Sequence, residues 1–214
     1  MSFELKSGAE ARWTGASAPR VVVCVNGGTA AEVPGTWSAS VEWLVRALAP
    51  RFSGLRFLEV RYRIKSWRRL DLCVADGAAA VAEARAAGAQ RLLLLGFSMG
   101  GAVAVRNAVA PEVVAVVGIN PWLPPQLELE QLRGRRLAIV HGTLDAPLPG
   151  IPGVKPALSA AAAERARGLG VEVERRLVPR AFHGVALRRR DGRLVPLPGA
   201  RRYADHVAAE LERL

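Results

Sequence analysis

The residues best suited to chemistry lie in Gly96-Phe97-Ser98-Met99-Gly100-Gly101. The apolar run 91–95 precedes them and reads as a buried strand; 102–110 follows and reads as a helix. A serine bracketed by glycines between a strand and a helix sits on a bend too tight for side chains at the flanking positions. Its hydroxyl is pushed outward at a helix N-terminus, where free backbone N–H groups favour developing negative charge. That is a place for a nucleophile.

A serine hydroxyl needs a base, and the chain holds three histidines, His141, His183 and His206. His206 falls in a C-terminal helical stretch and is expected to have a surface or packing role. His141 closes an apolar run before Gly142 and is expected to pack beneath the site or support the turn. His183 lies just beyond the last long strand-like run, where a loop can bring its imidazole to Ser98, so it is the expected base. The base needs a carboxylate to fix its tautomer. Among the aspartates, Asp71 and Asp76 are expected to cap a helix or face solvent, Asp191 precedes Gly192 in a hairpin turn, and Asp205 lies in the last helix. Asp145, in His141-Gly142-Thr143-Leu144-Asp145, stands on a loop after a strand and is the expected partner of His183. An oxyanion formed on attack needs donors; the backbone N–H groups of Gly28, in Asn26-Gly27-Gly28-Thr29, and of Met99 are the expected pair. A phosphate cradle at Gly27-Gly28 is disfavoured, because neither dinucleotide nor P-loop spacing is present there.

These residues must be positioned by the elements between them. Segments 20–26, 55–60, 91–96, 113–119, 136–141 and 171–178 read as buried strands, separated for the most part by alanine-rich amphipathic stretches at 38–49, 71–87, 99–110 and 157–169, with a last helix over 200–214. Residues 3–13 could add an antiparallel edge hairpin, and a short helix is expected around 127–132 after Pro124 and Pro125. This alternation predicts one α/β domain over 1–214, with a mainly parallel sheet of about six to eight strands and helices on both faces. Pocket walls are expected from loops at the strand C-termini, at 29–37, 62–67, 121–123 and 146–152. Trp37, Tyr62 and Trp122 are the candidate pocket residues. The basic segment 62–69 reads either as a binder of an acidic head group or as a solvated loop.

The chain has 214 residues, is 50% apolar and carries a formal charge of +11. No apolar run approaches the ~20 residues of a membrane span, and the first residues show no secretory pattern, so a cytoplasmic location is expected. Cys24 and Cys73 are expected as buried thiols rather than a disulfide. All but three of the 30 basic residues are arginine. That excess reads either as compositional bias or as attraction for an anionic partner. No zinc-ligand cluster, helix-turn-helix or aromatic-rich RNA-binding pattern accompanies it, so nucleic acid is not an expected partner, and no metal or cofactor is implied.

The Gly96–Gly101 elbow, Asn26-Gly27-Gly28, Asp145 and His183, in the order Ser, Asp, His, resemble the α/β-hydrolase superfamily from about Arg20 onward. Two departures stand out. Asn26-Gly27 replaces the His-Gly of many relatives. The stretch after the strand ending near Ile119 is too short for a bulky lid. The resemblance implies a compact serine hydrolase with little or no lid, similar to small esterases, thioesterases and dienelactone-hydrolase-like proteins. Its expected substrate is a small acyl ester or thioester, either anionic or neutral. A binding or sensing protein on the same fold, and an acyltransferase, remain open alternatives, as do the acyl group and the oligomeric state.

Overall fold

The computed structural model describes residues 1–147 and 153–214. A hairpin of β1 (Ser2–Glu4) and β2 (Glu10–Thr14) leads into β3 (Arg20–Val25), α1 (Ala39–Leu48) and β4 (Arg56–Arg61). Next come α2 (Leu70–Ala86), β5 (Arg91–Phe97), α3 (Gly100–Arg106), β6 (Val113–Ile119) and β7 (Arg136–Gly142). The chain continues with α4 (Pro156–Gly168), β8 (Glu172–Val178), the small hairpin β9 (Ala186–Arg188) and β10 (Leu194–Pro196), and α5 (Ala200–Leu211).

The main sheet has eight strands in the order β1-β2-β4-β3-β5-β6-β7-β8. From β4 to β8 all neighbours are parallel, while β1 and β2 add an antiparallel edge. This is the α/β-hydrolase arrangement of strands and helices. The central strands carry apolar residues without a break because both faces are covered. Leu92 and Leu94 of β5 pack with residues of α2, α3 and α4, whereas Leu93 and Leu95 pack with residues of α1 and α5. The period-two alternation of a strand thus feeds two cores from one apolar run.

Topology explains where the loops converge. The chain leaves β3 for β4 on one side and then crosses back to β5 on the other. β3 and β5 are paired through Val25 and Gly96, so the turns that follow them lie side by side at the switch point. Between β6 and β7, residues 120–135 form a loop whose only helical piece is the 3-10 turn Glu130–Leu132, shorter than the expected 127–132. Only the tighter turn forms, Leu132 N–H donating to Leu129 O and Arg133 N–H to Glu130 O, and Gly134 at φ 74° ends it. α3 also stops earlier than expected, at Arg106.

Burial corrects one aspartate. Asp76 is neither a cap nor solvated. It is fully buried on α2 and accepts from the Arg63 backbone N–H at 3.0 Å and from Arg63 Nε at 2.8 Å. Cys24 and Cys73 are buried free thiols. Several arginines have structural partners: Arg12 bridges buried Glu42 and Glu59, and Arg46 and Arg188 also reach Glu42.

Candidate active site

The turn after β5 is shaped by lack of space. A Cβ added to Gly96 would run into the Gly100 backbone, and one on Gly100 would stand 2.6 Å from the Val25 carbonyl oxygen. Gly101 is closed off by Pro121, whose Cβ would lie 2.5 Å away from such an atom. Ser98 itself adopts φ 56°, a left-handed conformation unusual for a side chain other than glycine. Its N–H donates to Ile119 O at 3.0 Å, and its carbonyl accepts from Trp122 and Gly101. The strained residue is therefore held from β6 and from the loop behind it. Ser98 is 8% exposed, with its hydroxyl facing a cavity.

His183 must reach Ser98 from the far edge of the sheet. β8 is the edge strand, and residues 179–184 run back over the ends of β7 and β6. The path is pinned at each step. Thr143 Oγ1 accepts from Arg180 N–H at 2.9 Å, and the Leu144 N–H donates to Ala181 O at 2.9 Å. Buried Asn120, at φ 46°, donates its amide to the carbonyls of Phe182 and His183. Its Oδ1 accepts from the Gly142 N–H and the Tyr203 hydroxyl, both at 2.8 Å. Beyond the histidine, Ser40 Oγ of α1 accepts from the Val185 N–H at 3.0 Å. His183 Nε2 ends 2.9 Å from Ser98 Oγ, and Nδ1 ends 2.8 Å from Asp145 Oδ2. A carboxylate only accepts, so Nδ1 carries the proton and Nε2 of the neutral ring accepts from the serine hydroxyl.

Asp145 is 2% exposed. Burial opposes its ionisation, but donation from His141, His183 and the Val154 N–H outweighs that and holds the carboxyl below the usual aspartate range. Ser98, His183 and Asp145, selected from sequence, thus come together in one hydrogen-bonded chain. His206 lies elsewhere, on α5 beside Arg176.

The loop after β3 meets the elbow from the other side. A Cβ on Gly27 would sit 3.2 Å from Ser98 Cβ, and one on Gly28 would collide with the Met99 side chain. Among the described residues, neither the Gly28 nor the Met99 N–H has an acceptor, while the neighbouring Thr29 N–H is tied to Lys65 O. Asn26, where many relatives have histidine, is fixed by its own amide to Val60 O and by Tyr62, whose hydroxyl lies 3.1 Å from both its N and its O.

A cavity of about 300 Å³ opens onto Ser98, walled by Trp67, Met99, Trp122, Pro147, Gly153 and Val154. Trp122 is therefore where the sequence reading expected it. Two other expectations need correction. Tyr62 is buried beneath the Asn26 loop, because its hydroxyl finds both backbone partners there. Trp37 lies against Arg12, its ring 4.3 Å from the guanidinium carbon, in the ion-pair cluster of β2 and β4. Of the expected wall 146–152, Pro147 lines the cavity and 148–152 lie outside the described residues. Asn120, Ser40, Tyr203 and the polar contacts of His141 went unread in the sequence. The only local signal was the Asn-Pro dipeptide at the end of β6, since asparagine tolerates positive φ better than most residues.

No curated protein matches the chain. Among solved structures, esterase PE8 is similar over 99% of both chains, at 16% identity and a TM-score of 0.71. The butyrate-bound esterase Est2 of Thermogutta terrifontis matches 99% of this chain and 92% of its own, at 18% identity and a TM-score of 0.67. A serine hydrolase without lid from Xanthomonas campestris matches 86% of this chain and 84% of its own, at 18% identity and a TM-score of 0.63. At such identities the likeness is one of fold. The family model for the alpha/beta hydrolase family matches residues 22–212. The chain belongs to the alpha/beta hydrolase family.

Proposed function

We propose that this protein is a serine hydrolase that cleaves a carboxylic ester or thioester through an acyl-enzyme on Ser98. One observation carries the reading: the unbroken relay from Ser98 Oγ through His183 to Asp145, at 2.9 and 2.8 Å. His183 Nε2 takes the hydroxyl proton as Ser98 Oγ bonds to the acyl carbon. The carbonyl oxygen becomes an oxyanion facing the unoccupied N–H groups of Gly28 and Met99. As the tetrahedral species collapses, the bond to the leaving oxygen or sulfur breaks and His183 returns the proton to it. A water molecule then repeats the sequence on the acyl-enzyme, releasing the acid and Ser98. Asp145 stays ionised throughout, orienting His183 and stabilising its protonated form.

The walls of the cavity favour a small apolar acyl group, in keeping with the butyrate-bound esterase of similar fold. The basic segment 62–69 supports an anionic head group less well. Arg63 is committed to Asp76, Lys65 Nζ lies 2.8 Å from Thr36 Oγ1, and Arg69 is 3.3 Å from Glu32. Turnover of p-nitrophenyl butyrate should exceed that of the palmitate ester. Ser98→Ala should lower kcat/KM by about 10⁴-fold or more. Undiminished turnover in that variant would refute the reading.

A further inference from the structure

His141 is a second histidine on the same carboxylate. It closes β7, and both it and Asp145 have side chains with no solvent exposure. His141 Nε2 lies 3.0 Å from Asp145 Oδ2 and 2.9 Å from Val154 O. Both neighbours are acceptors, so Nε2 must carry a hydrogen, shared between them. Val154 completes a ring, its N–H donating to Asp145 Oδ1 at 2.9 Å. Both carboxylate oxygens are thereby tied, Oδ2 by the histidines and Oδ1 by Val154, which also walls the cavity. The other imidazole nitrogen, Nδ1, is buried without a hydrogen-bond partner among the described residues. A space-filling role would be served better by an apolar side chain, which leaves no buried nitrogen unpaired. The residue type is accounted for by the single donor at Nε2.

From this geometry we infer that His141 is a positioning residue: its Nε2–H sets the Asp145 carboxylate for His183 and fixes Val154 in the cavity wall. The inference rests on the hydrolase reading above and adds to it. Asp145 Oδ2 serves two N–H donors, His141 from β7 and His183 from the loop after β8. Among the described residues, the further titratable group facing the carboxylate is the Tyr203 hydroxyl of α5, engaged with Asn120. His141 is one of the donors that hold the Asp145 carboxyl below the usual aspartate range; without it the carboxyl takes up a proton at higher pH, and the acid limb of the rate profile moves to higher pH. Val154 would lose one of its two tethers in the same variant, weakening the fit of the acyl chain.

The test compares His141→Met, which fills the space without a donor, with His141→Gln, which can return an N–H near the Nε2 position. Wild type and Ser98→Ala are run beside them. In His141→Met, kcat for p-nitrophenyl butyrate should fall roughly ten- to a hundredfold. The acid limb of its kcat/KM profile should move to higher pH, and His141→Gln should restore the limb toward wild type. If Ser98→Ala is inactive but His141→Met keeps the wild-type limb and kcat, the positioning role fails while the hydrolase reading stands. If Ser98→Ala stays active, the hydrolase reading itself fails. Should His141→Met not fold, nitrogen-15 NMR of the wild-type imidazole decides the matter. A proton on Nε2 and none on Nδ1 supports the inference, and the opposite tautomer overturns it.

Discussion

Around Ser98 the backbone is held mainly by the absence of room, whereas around His183 and Asp145 it is held mainly by polar contacts. Gly96, Gly100 and Gly101 each back onto main chain or proline, so the elbow has one way to fit between β3, β5 and the 120–123 loop. The loop bearing His183 is closely walled at Ala181, onto which Gly142 and Gly199 back, but further along its path it relies on polar contacts. It crosses two strand ends, and Thr143, Asn120, Tyr203 and Ser40 hold it by hydrogen bonds. The nucleophile sits directly at the end of a central strand and needs only a sharp turn. The base must come from an edge strand, and a long reach needs tethers along it. Damage to the first half should therefore act through sterics, and damage to the second through unpaired polar groups.

The largest effect is expected from Gly100→Ala. Its new methyl would press on the carbonyls of Val25 and Asn26, at 2.6 and 2.8 Å. Destabilisation by about 3 kcal/mol is expected, a fall in Tm of roughly 10 °C, with kcat/KM reduced about a hundredfold. A wild-type Tm would mean that the elbow is not sterically set, and the contrast would break. Asn120→Ala comes next. It strips an acceptor from the Gly142 N–H and the Tyr203 hydroxyl, and donors from two carbonyls of the His183 loop. It should cost about 2 kcal/mol and roughly tenfold in kcat, with KM little altered. A lower Tm with unchanged kcat would show that the tethers serve stability alone. The smallest effect belongs to Ser40→Ala, whose bonds fall two and three residues past His183. About 1 kcal/mol is expected, with faster amide exchange at Val185 and Ala186 and kcat nearly unchanged.

The same contrast governs what could be read from the sequence. The elbow announces itself because its constraint is local: glycines, a serine and an apolar run adjacent in the chain. The strands at 113–119 and on either side of it were legible for the same reason, since unbroken apolar runs mark strands buried on both faces. The tethers are not local. Asn120, Ser40 and Tyr203 meet the His183 loop from 62, 145 and 21 residues away. Nothing near any of them in sequence identifies that partner. Asp76 was misread because its helix gives no sign that Arg63 folds onto it. Trp37 and Tyr62 were misplaced because loop residues have no periodicity to say which way they point; one went to an arginine cluster and the other beneath the Asn26 backbone.

Formation of a covalent intermediate on Ser98 can be read by intact-protein mass spectrometry after treatment with a fluorophosphonate. One phosphonyl group should appear on the wild-type protein, map to the peptide containing Ser98, and be absent from Ser98→Ala. Label on another residue, or undiminished labelling of Ser98→Ala, would contradict the mechanism.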